Sequence, residues 1–253
     1  MICMDTTTAA LTRDEIARFH QQGYLGPYTA CTPEDMAAVR LRIDAEVLTS
    51  TGPNPASPLH SRHLDHRPVH DLVTLPGVLG RVRGLLGDDI VLWSTFLFNK
   101  EPGTPEVPWH QDIDEWPLDP PVNLSIWMAI DEVTAENSCV QIIPGSHREL
   151  LHHVPSRPGM VFSKEIEPGL VDTSGAIDME LAPGEFFLFS EQLMHHSNKN
   201  DSNRRRLGLS ARYTTPSVNI RDQDSAPCFP GHACVLVSGS DTQGLNRMTE
   251  PPA

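Results

Sequence analysis

Residues 181–197 read LAPGEFFLFSEQLMHHS, and their reading decides the fold. Ala182-Pro183-Gly184 is a turn, because proline sets φ and glycine reaches dihedrals that other residues avoid. Phe186 to Phe189 form a short unbroken apolar run, consistent with a strand covered on both faces. The chain then passes through Leu193-Met194 into the polar pair His195-His196. A buried strand that delivers imidazoles at its end suggests the mouth of a barrel or sandwich. Four other stretches have the same aromatic and β-branched character: Ile90 to Lys100, Asn123 to Ile130, Cys139 to Ile143 and Leu207 to Thr214. Turn clusters separate them at Glu101-Pro102-Gly103 and Pro144-Gly145-Ser146.

Upstream the pattern changes. Thr12 with Asp14 and Glu15, and Thr32-Pro33-Glu34-Asp35, are helix starts, and Gly23 is a stop. The first 50 residues therefore read as helical, with Met36, Val39, Leu41, Ile43 and Val47 at roughly helical spacing. A short helix is expected from Gly77 to Leu86. Residues 50–67 are a Pro/Ser/His-rich loop; His60, His63 and His66 lie three apart without an acid or cysteine set, so they read as a surface or substrate loop rather than a metal cluster. Helices first and strands later, without alternation, predict one α+β domain over residues 1–253. Its mainly helical part is about 10–87 and its sandwich or barrel core about 88–220, with a frayed tail at about 236–253.

Composition narrows the function. The formal charge of −14 argues against a general nucleic-acid partner and against anionic membranes. It serves solubility and favours an amine-bearing substrate. The five cysteines include no CxxC pair, which fits free thiols in a reducing compartment. The N-terminus has no secretory h-region and no apolar run approaches spanning length, so a cytoplasmic location is expected.

The chemistry concentrates in Trp109-His110-Gln111-Asp112. On an extended strand, residues i and i+2 share a face, so His110 and Asp112 are expected to point together. His195 lies too far downstream for a local zinc loop, but at a natural separation for a ligand on a distant strand. Two imidazoles and a carboxylate make a facial triad that leaves three positions open on iron(II). Arg206 follows His195 by eleven residues and opens the strand LGLSARY. A guanidinium there suits a two-pronged pair with a carboxylate.

Taken together, WHQD, PGSH, LAPGEFFLF, H-x-S-x-x-N and the arginine resemble, in order, the phytanoyl-CoA dioxygenase family of iron/2-oxoglutarate oxygenases over roughly residues 10–220. The Lys100-Glu101-Pro102-Gly103 turn and Trp127 also match. The resemblance implies a double-stranded β-helix, a cupin-like jelly roll, with helices packed outside. It implies Fe(II), 2-oxoglutarate and O2 as cofactor and cosubstrates, and His110, Asp112 and His195 as iron ligands. Arg206, helped by Ser197, would bind the distal carboxylate of 2-oxoglutarate. Trp127 and Asn99 occupy positions that line the cosubstrate pocket in relatives. Arg212 should share the face of Arg206 and approach either the iron-side carboxylate or the substrate. Some relatives are halogenases that replace the carboxylate ligand by Ala or Gly; Asp112 is kept here, which favours oxygenation. Ser138 departs from the glycine common in relatives.

His147 is expected to stabilise its turn. His152 and His153 fall in an expected lid over residues 147–165, and Asp114, Glu115 and His153 are candidates to face a substrate. The polar loops suit a small polar metabolite such as a sugar, amino sugar or amino-acid derivative, oxidised by hydroxylation or ring formation in secondary metabolism. Two other classes would use the same ligand set: a cupin-like metal-binding protein without turnover, and a zinc hydrolase.

Overall fold

The computed structural model describes residues 10–114 and 116–253, Asp114 by its backbone alone. Its helices are α1 (Arg13–Gln22), α2 (Pro33–Arg42), α3 (Arg67–Val73) and α4 (Pro76–Leu86). α1 begins where the Thr12 hydroxyl accepts the Glu15 N–H and the Glu15 carboxylate accepts the Thr12 N–H, and it stops at Gly23, φ 79°. α2 is capped by Thr32 and runs on into a π-helical turn, Ile43–Val47. The helical reading of the first 50 residues fails in one place. Tyr24–Thr29 is a strand, β1, because its tyrosines fit a sheet edge and Pro27 is tolerated there. Gly26 is required at this edge, since a Cβ would lie 2.9 Å from Phe187 Cβ.

The remaining strands are β2 (Ile90–Lys100), β3 (Val107–His110), β4 (Leu118–Asp119), β5 (Leu124–Ala129), β6 (Val140–Ile142), β7 (His153–Pro155), β8 (Lys164–Ile166), β9 (Ile177–Met179), β10 (Glu185–Ser190), β11 (His195–Ser197), β12 (Arg206–Thr214), β13 (Asn219–Ile220) and β14 (Val235–Ser238). A six-stranded sheet has the order β1-β10-β5-β12-β2-β14 and a four-stranded sheet the order β3-β11-β6-β9. β4 pairs with β13, and β7 with β8 as a hairpin. The result is the expected double-stranded β-helix with helices outside.

The central strands of the large sheet, β10, β5, β12 and β2, are largely buried on both faces, which explains why they read as unbroken apolar runs. In β10, Phe186 and Leu188 join α2, α3 and α4 in the main core, while Phe187 and Phe189 face the small sheet with Val140, Ile142 and Met179. Each fully buried side chain of this size contributes about 1.5–3 kcal/mol. The same alternation orders β12. Leu207, Leu209, Ala211 and Tyr213 pack towards the helices, so Arg206, Gly208, Ser210 and Arg212 project between the sheets.

Two further expectations change. The His-rich stretch is not a surface loop: His60 and His63 are buried, and the buried Arg62 clamps the loop by donating to the carbonyls of Val47 (2.7 Å) and Pro58 and to Ser50 Oγ. The tail is not frayed through its length. β14 joins the large sheet, Thr249 N–H donates to the Cys234 carbonyl, and Arg247 pairs with Asp224 at 2.8 Å.

Candidate metal centre and cosubstrate pocket

His110 closes β3 and His195 opens β11, and the two are register partners across the small sheet. Asp112 is not on the strand, as alternation suggested. The strand ends at His110, and Asp112 begins a 3-10 turn, Asp112–Asp114, that folds its carboxylate back. One ligand atom from each of the three side chains lies within 4.8 Å of the others, the only such group among the described residues. His110 Nε2 is 3.5 Å from Asp112 Oδ1. His110 Nδ1 and His195 Nδ1 face backbone carbonyls, of Pro108 at 2.8 Å and Leu193 at 2.9 Å. Donation there assigns the tautomer and leaves each Nε2 lone pair for a cation. Burial lowers the His195 pKa to about 4, so its imidazole is neutral. Burial pushes Asp112 up, but the interaction with His110 and the charge of Arg212 outweigh it, and its pKa is about 2. Two imidazoles and an ionised carboxylate on one corner fit iron(II). His196 points elsewhere: it stacks on Trp109 at 4.2 Å and meets Gln141.

Beside this group, a narrow inner cavity is lined by Arg206, Trp127, Ser197, Ser210, Phe98 and Val140 together with the three candidate ligands. Arg206 is 2 % exposed. Its Nη1 donates to the Ser138 carbonyl at 3.0 Å, its guanidinium lies 5.2 Å over Trp127, and its Nε has no partner. No carboxylate of the described residues pairs with it, and burial lowers its pKa to about 10. A buried guanidinium without a counter-ion is an arrangement that an incoming carboxylate completes. The residues present therefore fit a keto-diacid with one end towards the triad. Ser138 takes φ 76°, in the left-handed region that favours glycine, and this turn aims its carbonyl at Arg206.

Residues 9–208 match the phytanoyl-CoA dioxygenase family. The chain belongs to that family. It is 27% identical over 255 residues to the L-proline trans-4-hydroxylase of Streptomyces griseoviridis, covering 86% of this chain and 95% of that one. It is 31% identical over 149 residues to the dioxygenase lolE1 of Epichloe uncinata, spanning 55% of that protein's length. The structure of CytC3 with Fe(II) and alpha-ketoglutarate superposes with a TM-score of 0.77 at 26% identity, over 96% of this chain and 94% of that one. The non-heme monooxygenase ThoJ shares the fold, with a TM-score of 0.79 at 24% identity over 94% of this chain and 87% of that one. This member of the phytanoyl-CoA dioxygenase family is an Fe(II)/2-oxoglutarate-dependent dioxygenase acting on a small molecule. When bound, the iron and 2-oxoglutarate supply the oxidising chemistry from O2, with the keto-acid leaving as succinate and CO2.

An outer cavity of about 220 Å³ opens beyond the inner one; His110, Asp112, Phe98, Phe162 and Arg212 line both. Phe162, in the loop joining β7 and β8, sets its ring against His110 at 4.8 Å and covers the candidate metal position. His60 faces the outer cavity with its Nε2 3.0 Å from Ser94 Oγ.

The other expected residues divide. Trp127, Ser197 and Arg212 line the inner cavity. Asn99 does not line either cavity: it alternates with Phe98 and Lys100 on β2 and pairs in register with Leu207, on the helix side. His153 lines the outer cavity, but its Nε2 accepts the Gln111 N–H at 3.1 Å and its Nδ1 faces the Leu151 carbonyl, so it also holds the lid to the metal-binding turn. The side chain of Asp114 and all of Glu115 lie outside the described residues. His147 supports its turn against α1, with Nε2 3.2 Å from the His20 carbonyl.

Two residues escaped the sequence reading. Lys100, 2 % exposed and the register partner of Arg206, donates to Ser197 Oγ at 3.0 Å and to the Ser197 and Asn198 carbonyls. Burial and the neighbouring Arg206 lower its pKa to about 7. Gln111 donates to the carbonyls of Glu149 (2.8 Å) and Gln192 (2.7 Å) and accepts the Leu151 N–H (2.9 Å), tying the lid to the turn before β11. The signal for Gln111 was its position between two candidate ligands, just past the end of β3.

Proposed function

We propose that this oxygenase oxidises a C–H bond of a small polar metabolite, by hydroxylation or oxidative ring closure, as a tailoring step in secondary metabolism. His110, Asp112 and His195 hold the iron. Arg206 grips the distal carboxylate of 2-oxoglutarate. Ser197 contributes a hydroxyl, and Lys100, already donating to that oxygen, leaves its proton free to point into the pocket. Trp127 gives the floor and Phe162 excludes water from the reacting position.

The observation that carries this reading is the buried, unpaired guanidinium of Arg206 beside a compact His/Asp/His group. A metal-binding protein or a zinc hydrolase has no use for it. Asp112 occupies the position that a halide would need, which supports oxygenation. The outer cavity, about 220 Å³, suits an amino-acid derivative, a sugar or an amino sugar better than an acyl-CoA. The near full-length similarity to a proline hydroxylase supports the same size class.

The test is anaerobic titration of the protein with iron(II) and 2-oxoglutarate, following the visible charge-transfer band of the complex. The band should form in the wild type, and Asp112→Ala should lose 2-oxoglutarate turnover. A wild type that forms no band, or an Asp112→Ala protein with undiminished turnover, refutes the assignment.

A further inference from the structure

Among the described residues, the outer cavity is lined by more cationic than anionic side chains. Among its described lining residues the sole carboxylate is Asp112, already a candidate metal ligand. Arg212 and Lys164 line the same cavity, with His60 and His153. The chain as a whole is acidic, at −14, whereas Arg212 presents a buried, incompletely bonded guanidinium to this cavity. The amine-bearing substrate favoured by that total would meet like charge here.

We infer that the substrate carries an anionic group, in the simplest case a carboxylate, and that Arg212 receives it; this rests on the oxygenase reading above. Arg212 projects from the same face of β12 as Arg206, six residues along. At a rise of about 3.3 Å per residue, their Cα atoms stand about 20 Å apart, too far for both to clamp one carboxylate. The Arg212 guanidinium lies 4.9 Å over Trp116, and its Nη1 is 3.5 Å from Ser94 Oγ. Trp116 and Ser94 line the outer cavity but not the inner one. The head group therefore turns towards the substrate side.

Its Nε is buried without a partner, and the one hydrogen bond it makes is long. Such a group binds an anion in two-pronged fashion at the smallest reorganisation cost. His60 adds no competing charge, because burial and the charge of Arg212 hold it neutral, with a pKa of about 3. Its role is to fix the Ser94 hydroxyl beside the guanidinium. The other walls are aromatic, from Trp93, Phe96, Phe98 and Phe162. The substrate that fits is a compact carboxylate with an apolar or flat body. Arg212 also lines the junction of the two cavities with Asp112, so an anion held there places the body of the molecule near the metal.

The full-length protein, loaded anaerobically with iron(II) and 2-oxoglutarate, tests this with probes that differ by one negative charge. L-Proline, phenylacetate and 3-phenylpropionate are each compared with the corresponding primary amide. Binding is read from perturbation of the visible band, and coupling from probe-dependent succinate release in air. At least one carboxylate should bind tenfold or more tightly than its amide. Arg212→Gln should shrink that ratio below threefold, and Arg212→Lys should keep most of it; band formation with 2-oxoglutarate reports that either variant is folded. Equal binding of acids and amides overturns the inference, as does a band that none of the six probes perturbs. So does an Arg212→Gln protein that binds 2-oxoglutarate tenfold more weakly with the acid/amide ratio intact, which would reassign Arg212 to the cosubstrate. A wild type without any band refutes the oxygenase reading and this inference together.

Discussion

Replacing Arg206 with Met should leave the free protein about as stable as the wild type and abolish its response to 2-oxoglutarate. The guanidinium is 2 % exposed, makes one hydrogen bond and has no carboxylate partner. Burial lowers its pKa to about 10, which corresponds to roughly 3 kcal/mol against the charged form. Methionine removes that penalty while filling much of the volume. Against this stand the loss of the contact with Trp127, about 1–2 kcal/mol, and a Ser138 carbonyl left without its donor, about 1–3 kcal/mol. The two sides nearly cancel, so Tm should move by no more than about 8 °C, at roughly 2–4 °C per kcal/mol for a chain of this size. Cosubstrate binding has no such compensation. A desolvated charge pair is worth about 2–5 kcal/mol, or roughly 30- to 5,000-fold in affinity. Thermal melts with manganese(II) in place of iron, with and without 2-oxoglutarate, read both quantities. A Met variant that keeps the 2-oxoglutarate-dependent rise in Tm, or a free variant that melts far below the wild type, would show that the guanidinium serves the fold instead.

Gly208→Ala places a Cβ 2.1 Å from Trp127 Cζ2; the overpacking should cost about 1–3 kcal/mol and weaken 2-oxoglutarate binding, because Arg206 lies over that ring, and unchanged melts and titrations would contradict the contact. Gln111→Ala orphans the Glu149 and Gln192 carbonyls, at about 1–3 kcal/mol each, and should hasten proteolysis within residues 149–166 and raise succinate release without substrate. His60 titrates near pH 6.5 when unfolded but at about 3 when folded, so the unfolded chain takes up more protons between these values. Its contribution is complete above pH 6.5 and is lost as pH falls towards 3; urea midpoints measured across that window should fall with pH, and less steeply in His60→Asn. His195→Ala should lose iron binding while His196→Ala keeps most of it, and the reverse ranking would move the ligand to the stacked histidine.

Much of this was legible in the residues. The N-caps at Thr12 and Thr32 act over three residues, and the central strands of the large sheet announce themselves as apolar runs because both faces are covered. The candidates His110, His195 and Arg206 were legible because their spacing along the chain follows the strands that carry them, and Asp112 because it stands two residues past His110. The misreadings share a cause. β1 carries Gly26 and Pro27 and becomes a strand only through pairing with β10. Asp112 reaches the metal from a turn, which no alternation rule describes. His60 and His63 look like loop histidines until Arg62 folds their loop inward.

Residue chemistry and local periodicity thus carried the donor set and the family, since both depend on which atoms occur at which spacing. Sidedness needed the packed chain. That Lys100 lies against Ser197, that Asn99 faces the helices and that Arg212 reaches the outer cavity follow from how two sheets close on each other. Burial and charge at a point sum over residues distant in sequence, and no local stretch contains that sum.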